Sequence, residues 1–253
     1  SSFEMIAFGF AGVILLGAII LMLPISSSAG VVTPFDKTLF TATSAVCVTG
    51  LVVVDTGSYW SAFGQAVILL LIQTGGLGVI TVVASFSMVS GRKISLMQRS
   101  TMQDAISAPK VGGIVRLTKF ILQGTFLIEL IGAILMLPVF CRDYGWKGIW
   151  MSVFHSVSAF CNAGFDLFGI KEPFSSLTFY HSNIYLNIII MMLIITGGIG
   201  FLVWGDIGTH KHRIRRFSLQ SKVVLMTSAV LIVLPALYFF FYEYDCETIH
   251  DRT

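Results

Sequence analysis

Charge is scarce in this chain. Of 253 residues only 11% are Asp, Glu, Lys or Arg, while 55% are apolar and the mean hydropathy is +0.87. Soluble domains carry roughly a quarter charged residues, so this composition leaves too little polar surface to face water on all sides and excludes an ordinary soluble globule. Cysteine is sparse as well: Cys47, Cys141, Cys161 and Cys246 are far apart, which excludes a disulfide-stapled secreted scaffold. The formal net charge of +3 is too small to support a nucleic-acid partner. What the chain does have is long apolar stretches, and the solvent they imply is lipid.

About 20 helical residues cross a hydrocarbon core about 30 Å thick. Five runs meet that requirement: Met5–Pro24, Phe63–Val89, Phe120–Phe140, Ile184–Trp204 and Val223–Tyr242. The first has neither the basic lead-in nor the small-residue cleavage site of a signal peptide, and reads as a retained span. It begins almost at once after Ser1–Ser2, as expected of a chain whose natural N-terminal tail has been removed. Basic residues then orient the spans, because Lys and Arg favour short cytoplasmic loops. Arg92, Lys93, Arg99, Lys110, Arg116 and Lys119 lie between the second and third runs, and Lys211, Arg213, Arg215, Arg216 and Lys222 between the fourth and fifth. The remaining connections mix Lys37, Arg142, Lys147 and Lys171 with Asp36, Asp55, Asp143, Asp166 and Glu172. The expectation is a multi-pass protein of the cell membrane with a cytoplasmic N-terminus and an external acidic stretch at Glu243–Asp251. The basic segments serve as topology signals, or as a docking surface for a partner or for anionic lipid head groups.

The external connections are themselves apolar. Phe35–Val46 and Trp146–Phe160 are helix-like but shorter than a span, as re-entrant helices are. Non-helical backbone at membrane depth is tolerated only where it is buried in protein or lines a watery cavity, so a half-length helix followed by a Gly-bearing extended stretch fits a pore loop. The two stretches also match: Phe40, Ser44, Ala45, Cys47 and Gly50 recur as Phe154, Ser158, Ala159, Cys161 and Gly164, and Leu21-Met22-Leu23-Pro24 recurs as Leu135-Met136-Leu137-Pro138, always 114 positions on. Gln73-Thr74-Gly75-Gly76-Leu77-Gly78 is echoed by Ile195-Thr196-Gly197-Gly198-Ile199-Gly200. The predicted fold is an all-α membrane protein of repeated span, pore helix, filter loop and span around a central pore. Residues 3–90 form the first repeat, 91–119 a basic connection, 120–209 the second repeat, 210–222 another basic connection and 223–253 the first span of a third, truncated repeat. Both repeats enter from the same side, as parallel repeats about an axis along the membrane normal do.

Such loops suit a cation. The C-terminal ends of the pore helices, Val46 and Phe160, present the negative end of the helix dipole. An extended segment beyond them can line up backbone carbonyls to replace the water of a dehydrated ion. Gly50 and Gly164 permit the backbone angles and close approach this needs; each taken singly is a turn glycine, and together in register they read as filter residues.

The run Ala42-Thr-Ser-Ala-Val-Cys-Val-Thr-Gly-Leu51, followed by Gln73-Thr-Gly-Gly-Leu-Gly78, resembles the Trk/Ktr/HKT potassium-transporter superfamily, and most closely its bacterial Ktr membrane subunit; Ser158-Ala-Phe-Cys-Asn-Ala-Gly-Phe165 resembles that family's second filter. The resemblance covers essentially the whole chain. It implies four such units around one pore and potassium held by filter carbonyls, here those of Val48, Thr49 and Gly50 and of Asn162, Ala163 and Gly164. It also implies glycine as the potassium-favouring filter residue over serine. It further implies a homodimer of membrane subunits on a cytoplasmic ring of nucleotide-binding regulatory subunits, for which Arg92, Lys93, Arg99, Arg213, Arg215 and Arg216 are candidate contacts. The third and fourth filters, the intramembrane gate and the basic pore residue of the family's second half are not in this sequence, so the C-terminal half of the pore is expected on other polypeptide.

Other readings compete for some residues. Cys47, Cys161, His155 and Asp166 could form a metal site or a cysteine nucleophile with its base, but two thiols at equivalent repeat positions are better explained as packing behind each filter. His155 replaces Thr41 of the first loop and reads as a hydrogen-bonded helix residue. The Gly75–Gly78 and Gly197–Gly200 clusters read as close helix packing. Glu129, the one carboxylate well inside a span, is either functional or a partner in an interhelical hydrogen bond. No enzymatic chemistry and no bound cofactor are expected, only permeation of potassium. An alternating-access secondary transporter and an accessory membrane module of another channel are the alternatives.

Overall fold

The computed structural model describes residues 2–78, 114–210 and 214–243. They are helical, and the one β-type pairing among them is an isolated bridge between Ser27 and Trp60. The chain divides into two compact units, Ser1–Gly198 and Ile199–Thr253.

In the first unit, α1 (Ser2–Met22) is an apolar helix stopped by Pro24: Leu23, before the proline, is extended at ψ 141°. The Ser26 hydroxyl donates to the Ile20 carbonyl at 2.8 Å and satisfies one of the orphaned acceptors at that end. α2 (Phe35–Val46) begins directly after Pro34, whose fixed φ suits helix entry. A single turn, α3 (Thr56–Tyr59), is capped by Asp55, and α4 (Ala62–Leu77) by Ser61, whose Oγ accepts from Gly64 N at 3.2 Å. The second repeat follows the same order: α5 (Ile114–Tyr144), α6 (Lys147–Phe160) and α7 (Ile184–Gly198). α1 packs on α2 and α4, α5 packs on α6 and α7, and α4 against α6 joins the two repeats.

The expected pore helices are therefore present within a residue of their predicted limits. The spans differ more. The third runs on at both ends of Phe120–Phe140, with Pro138 inside the helix. The second is described as far as Leu77, and its predicted continuation to Val89 lies outside the described residues. Among the described helices two are long and apolar enough to cross a bilayer alone, Val115–Tyr144 and Leu219–Tyr242, while Ile6–Met22 and Ala62–Leu77 are shorter apolar helices. The fourth run is not one continuous helix as Ile184–Trp204 was expected to be. It breaks between Gly198 and Phe201, where Gly200 takes φ +85°; three glycines in four residues lower the cost of leaving the helix.

The polarity of the unit is that of a lipid-facing protein. Phe8, Leu15, Leu16 and Ile19 of α1 and Phe126, Leu127, Leu130 and Ile131 of α5 are exposed, whereas Thr41, Ser44, Ser152, Ser156, Ser158 and Glu129 are buried. Lipid offers no hydrogen bonds, so the polar groups turn inward to protein partners.

In the second unit, α8 (Phe201–His210) leads through a 3-10 turn at Ile214–Arg216 to α9 (Leu219–Tyr238), which ends in a π-helical turn at Phe239–Glu243 just after Pro235. The start of α9 is capped twice. Ser218 Oγ accepts from Ser221 N at 3.2 Å, and Asp206 accepts from Ser218 N at 3.0 Å, Ser218 Oγ at 2.7 Å and Ser221 Oγ at 2.5 Å. A carboxylate beside a helix N-terminus is favoured by the dipole as well as by the bonds.

Candidate ion-filter loops

Each pore helix ends in the same hydrogen-bonded turn. After α2, Cys47 N donates to Thr43 O at 2.8 Å, Val48 N to Ala45 O at 3.3 Å and Thr49 N to Ser44 O at 2.9 Å. After α6, Cys161 N donates to Val157 O at 2.9 Å, Asn162 N to Ala159 O at 3.1 Å and Ala163 N to Ser158 O at 2.8 Å. The last two bonds of each set form a Schellman cap, which requires a left-handed residue just past the helix end. That residue is Val48 at φ +56° in one loop and Asn162 at φ +58° in the other. Asparagine adopts this region with some ease, but a β-branched valine does so only under strain, of the kind that collects at functional sites.

Beyond the caps the chain turns into extended segments. Gly50 (φ +74°) and Gly164 (φ +71°) again occupy the left-handed region, and the two loops meet there: a Cβ on Gly50 would lie 2.6 Å from Ala163 O and 3.2 Å from Gly164 Cα. Among the described residues no hydrogen bond is accepted by the carbonyls of Val48, Thr49, Gly50, Asn162, Ala163 or Gly164. Side chains brace the loops from behind, with Thr49 Oγ1 donating to Ser44 Oγ at 2.9 Å and Ser158 Oγ to Phe165 O at 2.6 Å. The six residues expected in the filters are thus brought together in two matching turns. Beside the second lies a cavity of about 230 Å³ lined by Ser158, Asn162, Gly164, Asp166, Ser176 and Ile190 among others. Burial pushes the Asp166 carboxyl above the ordinary carboxylate range, partly offset by the hydrogen bond it accepts from Phe168 N at 3.0 Å.

The glycine clusters of the outer helices have a more specific role than helix packing in general. A Cβ on Gly75 would overlap Val46 O, and one on Gly197 would overlap Phe160 O. In both repeats the outer helix accommodates the carbonyl end of its pore helix against bare backbone. Gly76 does the same between repeats, where a Cβ would stand 2.5 Å from Cys161 Sγ. Cys161 is therefore packed behind the second loop, against Gly76. Cys47 is exposed among the described residues; the neighbour that covers Cys161 comes from the preceding repeat. Cys246 lies outside the described residues, and among these no group of three or more His, Cys, Asp or Glu could hold a metal ion.

His155 has both ring nitrogens engaged: Nδ1 lies 2.7 Å from Met151 O, and Nε2 is 3.2 Å from Leu167 N. Because Leu167 N–H can only donate, Nε2 is the acceptor and Nδ1 carries the proton, which makes the ring neutral. It stacks on Phe168 at 4.3 Å within a cluster that includes Phe140 and Tyr180. That is the satisfied helix histidine expected.

Asp55, in the sequence only one of the external charges, has a structural role in the fold. It accepts from Ser58 N and Ser58 Oγ, each at 2.7 Å, and across the repeats from Phe174 N at 2.9 Å. A Cβ on Gly169 would overlap its carboxylate, and one on Gly57 would come 2.5 Å from Leu167 O. Asp55 thereby clamps the outer layer of one repeat to the other. Its Asp-x-x-Ser position at a helix start was a readable cap signal; its reach to Phe174 was not. Asp55→Ala should leave the part-buried amides of Ser58 and Phe174 without their charged acceptor and cost about 1–3 kcal/mol, seen as a lower Tm of the purified protein, with Asp55→Asn less affected. An unchanged Tm for Asp55→Ala would show that the clamp carries no stability.

Of the basic docking candidates, Arg215 and Arg216 are exposed. Arg92, Lys93, Arg99 and Arg213 lie outside the described residues.

Comparison with known proteins agrees with this arrangement. The TrkH family, described as cation transport proteins, matches residues 12–242. The chain is 43% identical to the potassium/sodium uptake protein NtpJ of Enterococcus hirae over 234 residues, covering 92% of this chain and 51% of that protein. It is 40% identical to the Ktr system potassium uptake protein B of Bacillus subtilis over 243 residues, 96% of this chain and 53% of the relative. The Ktr system potassium uptake protein B of Vibrio alginolyticus is 33% identical over 242 residues, 95% and 52% respectively. The chain spans about half the length of these curated relatives. With two matched pore-loop turns set among lipid-facing helices, and a family match from residue 12 to residue 242, the chain belongs to the TrkH family of membrane cation transport proteins.

Proposed function

We propose that this chain forms part of a potassium-conducting pore, in which the carbonyls of Val48, Thr49 and Gly50 and of Asn162, Ala163 and Gly164 take the place of the ion's hydration water. The observation that carries this reading is the pair of identical helix-ending turns that bring two glycines together while the neighbouring carbonyls accept no hydrogen bond among the described residues. A carbonyl oxygen is a hard neutral ligand suited to a monovalent cation, and several together recover the energy of dehydration only if the backbone is held in place. The caps, the hydroxyl braces and the glycine seats under Val46 and Phe160 supply that rigidity. No bond is made or broken, and the negative ends of α2 and α6 add a fixed attraction for positive charge.

Relatives named as potassium uptake and potassium/sodium uptake proteins support the choice of cation. The proposal extends to a cytoplasmic N-terminus, a homodimeric membrane subunit, and docking of a cytoplasmic nucleotide-binding ring on Arg92, Lys93, Arg99, Arg213, Arg215 and Arg216. The remaining filter positions are proposed to come from polypeptide beyond these 253 residues. The test is growth and potassium uptake in a cell that lacks its own uptake systems, expressing the full-length transporter that carries this sequence. Restored growth at low potassium is expected, and a correctly inserted protein that restores neither growth nor uptake would refute the reading.

A further inference from the structure

Glu129 is a carboxylate in the middle of α5, 5% exposed, on a helix whose neighbouring residues face lipid. A buried intramembrane acid is costly and is retained for a reason. Its surroundings are sparse: among the described residues no basic side chain pairs with it, Oε1 has no hydrogen-bond partner, and Thr125 Oγ1, one turn earlier on the same helix, also has none. The contact it does make leads to the second filter. Gln73 Nε2, from α4 of the first repeat, donates to Glu129 Oε2 at 3.3 Å, and the other end of the same amide, Oε1, lies 4.0 Å from Cys161 Sγ. Cys161 immediately precedes Asn162, the left-handed cap residue of the second loop. The backbone of the same turn of α5 is tied to the pore helix as well, since Ser156 Oγ donates to Glu129 O at 2.6 Å. Gly76, three residues beyond Gln73, holds α4 close to Cys161, so a shift of the Gln73 turn would be passed on to the loop.

We infer that Glu129, acting through Gln73 and Cys161, is a positioning residue that sets the ion preference of the second filter loop. This rests on the pore reading above. The amide is the middle link: its N–H end is held by the acid and its carbonyl end faces the thiol, so removing the acid frees Gln73 to rotate and leaves Cys161 without its polar neighbour. A filter discriminates ions through small displacements of its carbonyls, so a loosened second loop should lose preference before it loses conduction.

The experiment uses the full-length transporter in a cell deficient in potassium uptake and reads the ratio of potassium to sodium uptake. Wild-type transport is the control; its failure would count against the pore reading and leave the variants unread. Glu129→Gln keeps an oxygen acceptor for Gln73 and should hold the ratio within about twofold of wild type. Glu129→Leu and Gln73→Met should lower it about tenfold or more at normal protein level. The exchange variant, Gln73→Glu with Glu129→Gln, should bring it back to within about threefold. Should the leucine variant carry no ions, the link is read from the rate at which a small maleimide labels Cys161 in a protein whose other cysteines are serine: faster labelling in Glu129→Leu supports the inference. An unchanged uptake ratio in the leucine and methionine variants, or unchanged Cys161 labelling, would overturn it.

Discussion

Gly50→Ser is expected to lower the ratio of potassium to sodium uptake at least about tenfold, a change of about 1.4 kcal/mol in relative barrier height. Two effects act together. Gly50 sits at φ +74°, where any side chain is strained, and its Cβ would come 2.6 Å from the Ala163 carbonyl, a backbone atom that cannot swing aside. Relief requires one loop or the other to move, so the substitution displaces carbonyls in both filters. Gly50→Ala separates this from the chemistry of the new hydroxyl: the same loss in alanine assigns it to the Cβ, and a loss confined to serine assigns it to an added ligand. Gly164→Ser should be milder, because a Cβ there meets only Gly50 Cα, at 3.4 Å. Cation fluxes at matched expression decide the matter. A Gly164→Ser effect as large as that of Gly50→Ser would mean that the contact between the loops is not what holds the selectivity.

The second large effect is expected behind the filters. Gly75→Ala and Gly197→Ala each place a methyl group on a pore-helix carbonyl, Val46 O and Phe160 O respectively. Overpacking usually costs about 1–3 kcal/mol, and the cost here should reach the upper end because the obstructing atom is main chain at both positions. Gly12→Ala is the control: it lies in α1 with nothing within 4 Å, and alanine should be neutral or stabilising by about 0.5–1 kcal/mol. Thermal denaturation in detergent should show a fall of several degrees for Gly75→Ala and Gly197→Ala and none for Gly12→Ala. Uptake should fall together with stability, because the helix end that moves is the one from which the filter begins. Equal melting temperatures for all three variants would rule out the seat described for Val46 and Phe160.

These two predictions differ in how far the amino-acid order anticipates them. The Phe-x-x-x-Ser-Ala-x-Cys-x-x-Gly pattern repeating from Phe40 to Phe154 already places two equivalent loops after two short helices, and α2 and α6 end at Val46 and Phe160, where that pattern ends them. Local chemistry explains this success: the apolar stretch, the proline before Phe35 and the glycine after the helix act within a few residues of one another. The limits of the longer runs were less legible. Ile184–Trp204 reads as one span because hydropathy averages over its glycines, yet those glycines, with Gly200 at positive φ, divide it into two helices.

Composition and repeat spacing settle the solvent, the helical class and the pairing of the loops, because each depends on residue type or on position along the chain. Which atoms touch across the repeats depends on how helices far apart in sequence lie on one another, and only the folded structure reveals it. The Gly75 and Gly197 clusters were visible as small residues, but their role became clear when Val46 O and Phe160 O proved to rest on them. Cys47 and Cys161 are equivalent in the sequence; the fold sets Cys161 against Gly76 of the preceding repeat, while among the described residues Cys47 is exposed. In the sequence Asp55 is one acidic residue among thirteen, and Glu129 stands out only as the carboxylate well inside a span. Packing made the first a clamp reaching Phe174 and tied the second, through Gln73, to Cys161, the residue before the proposed second filter loop.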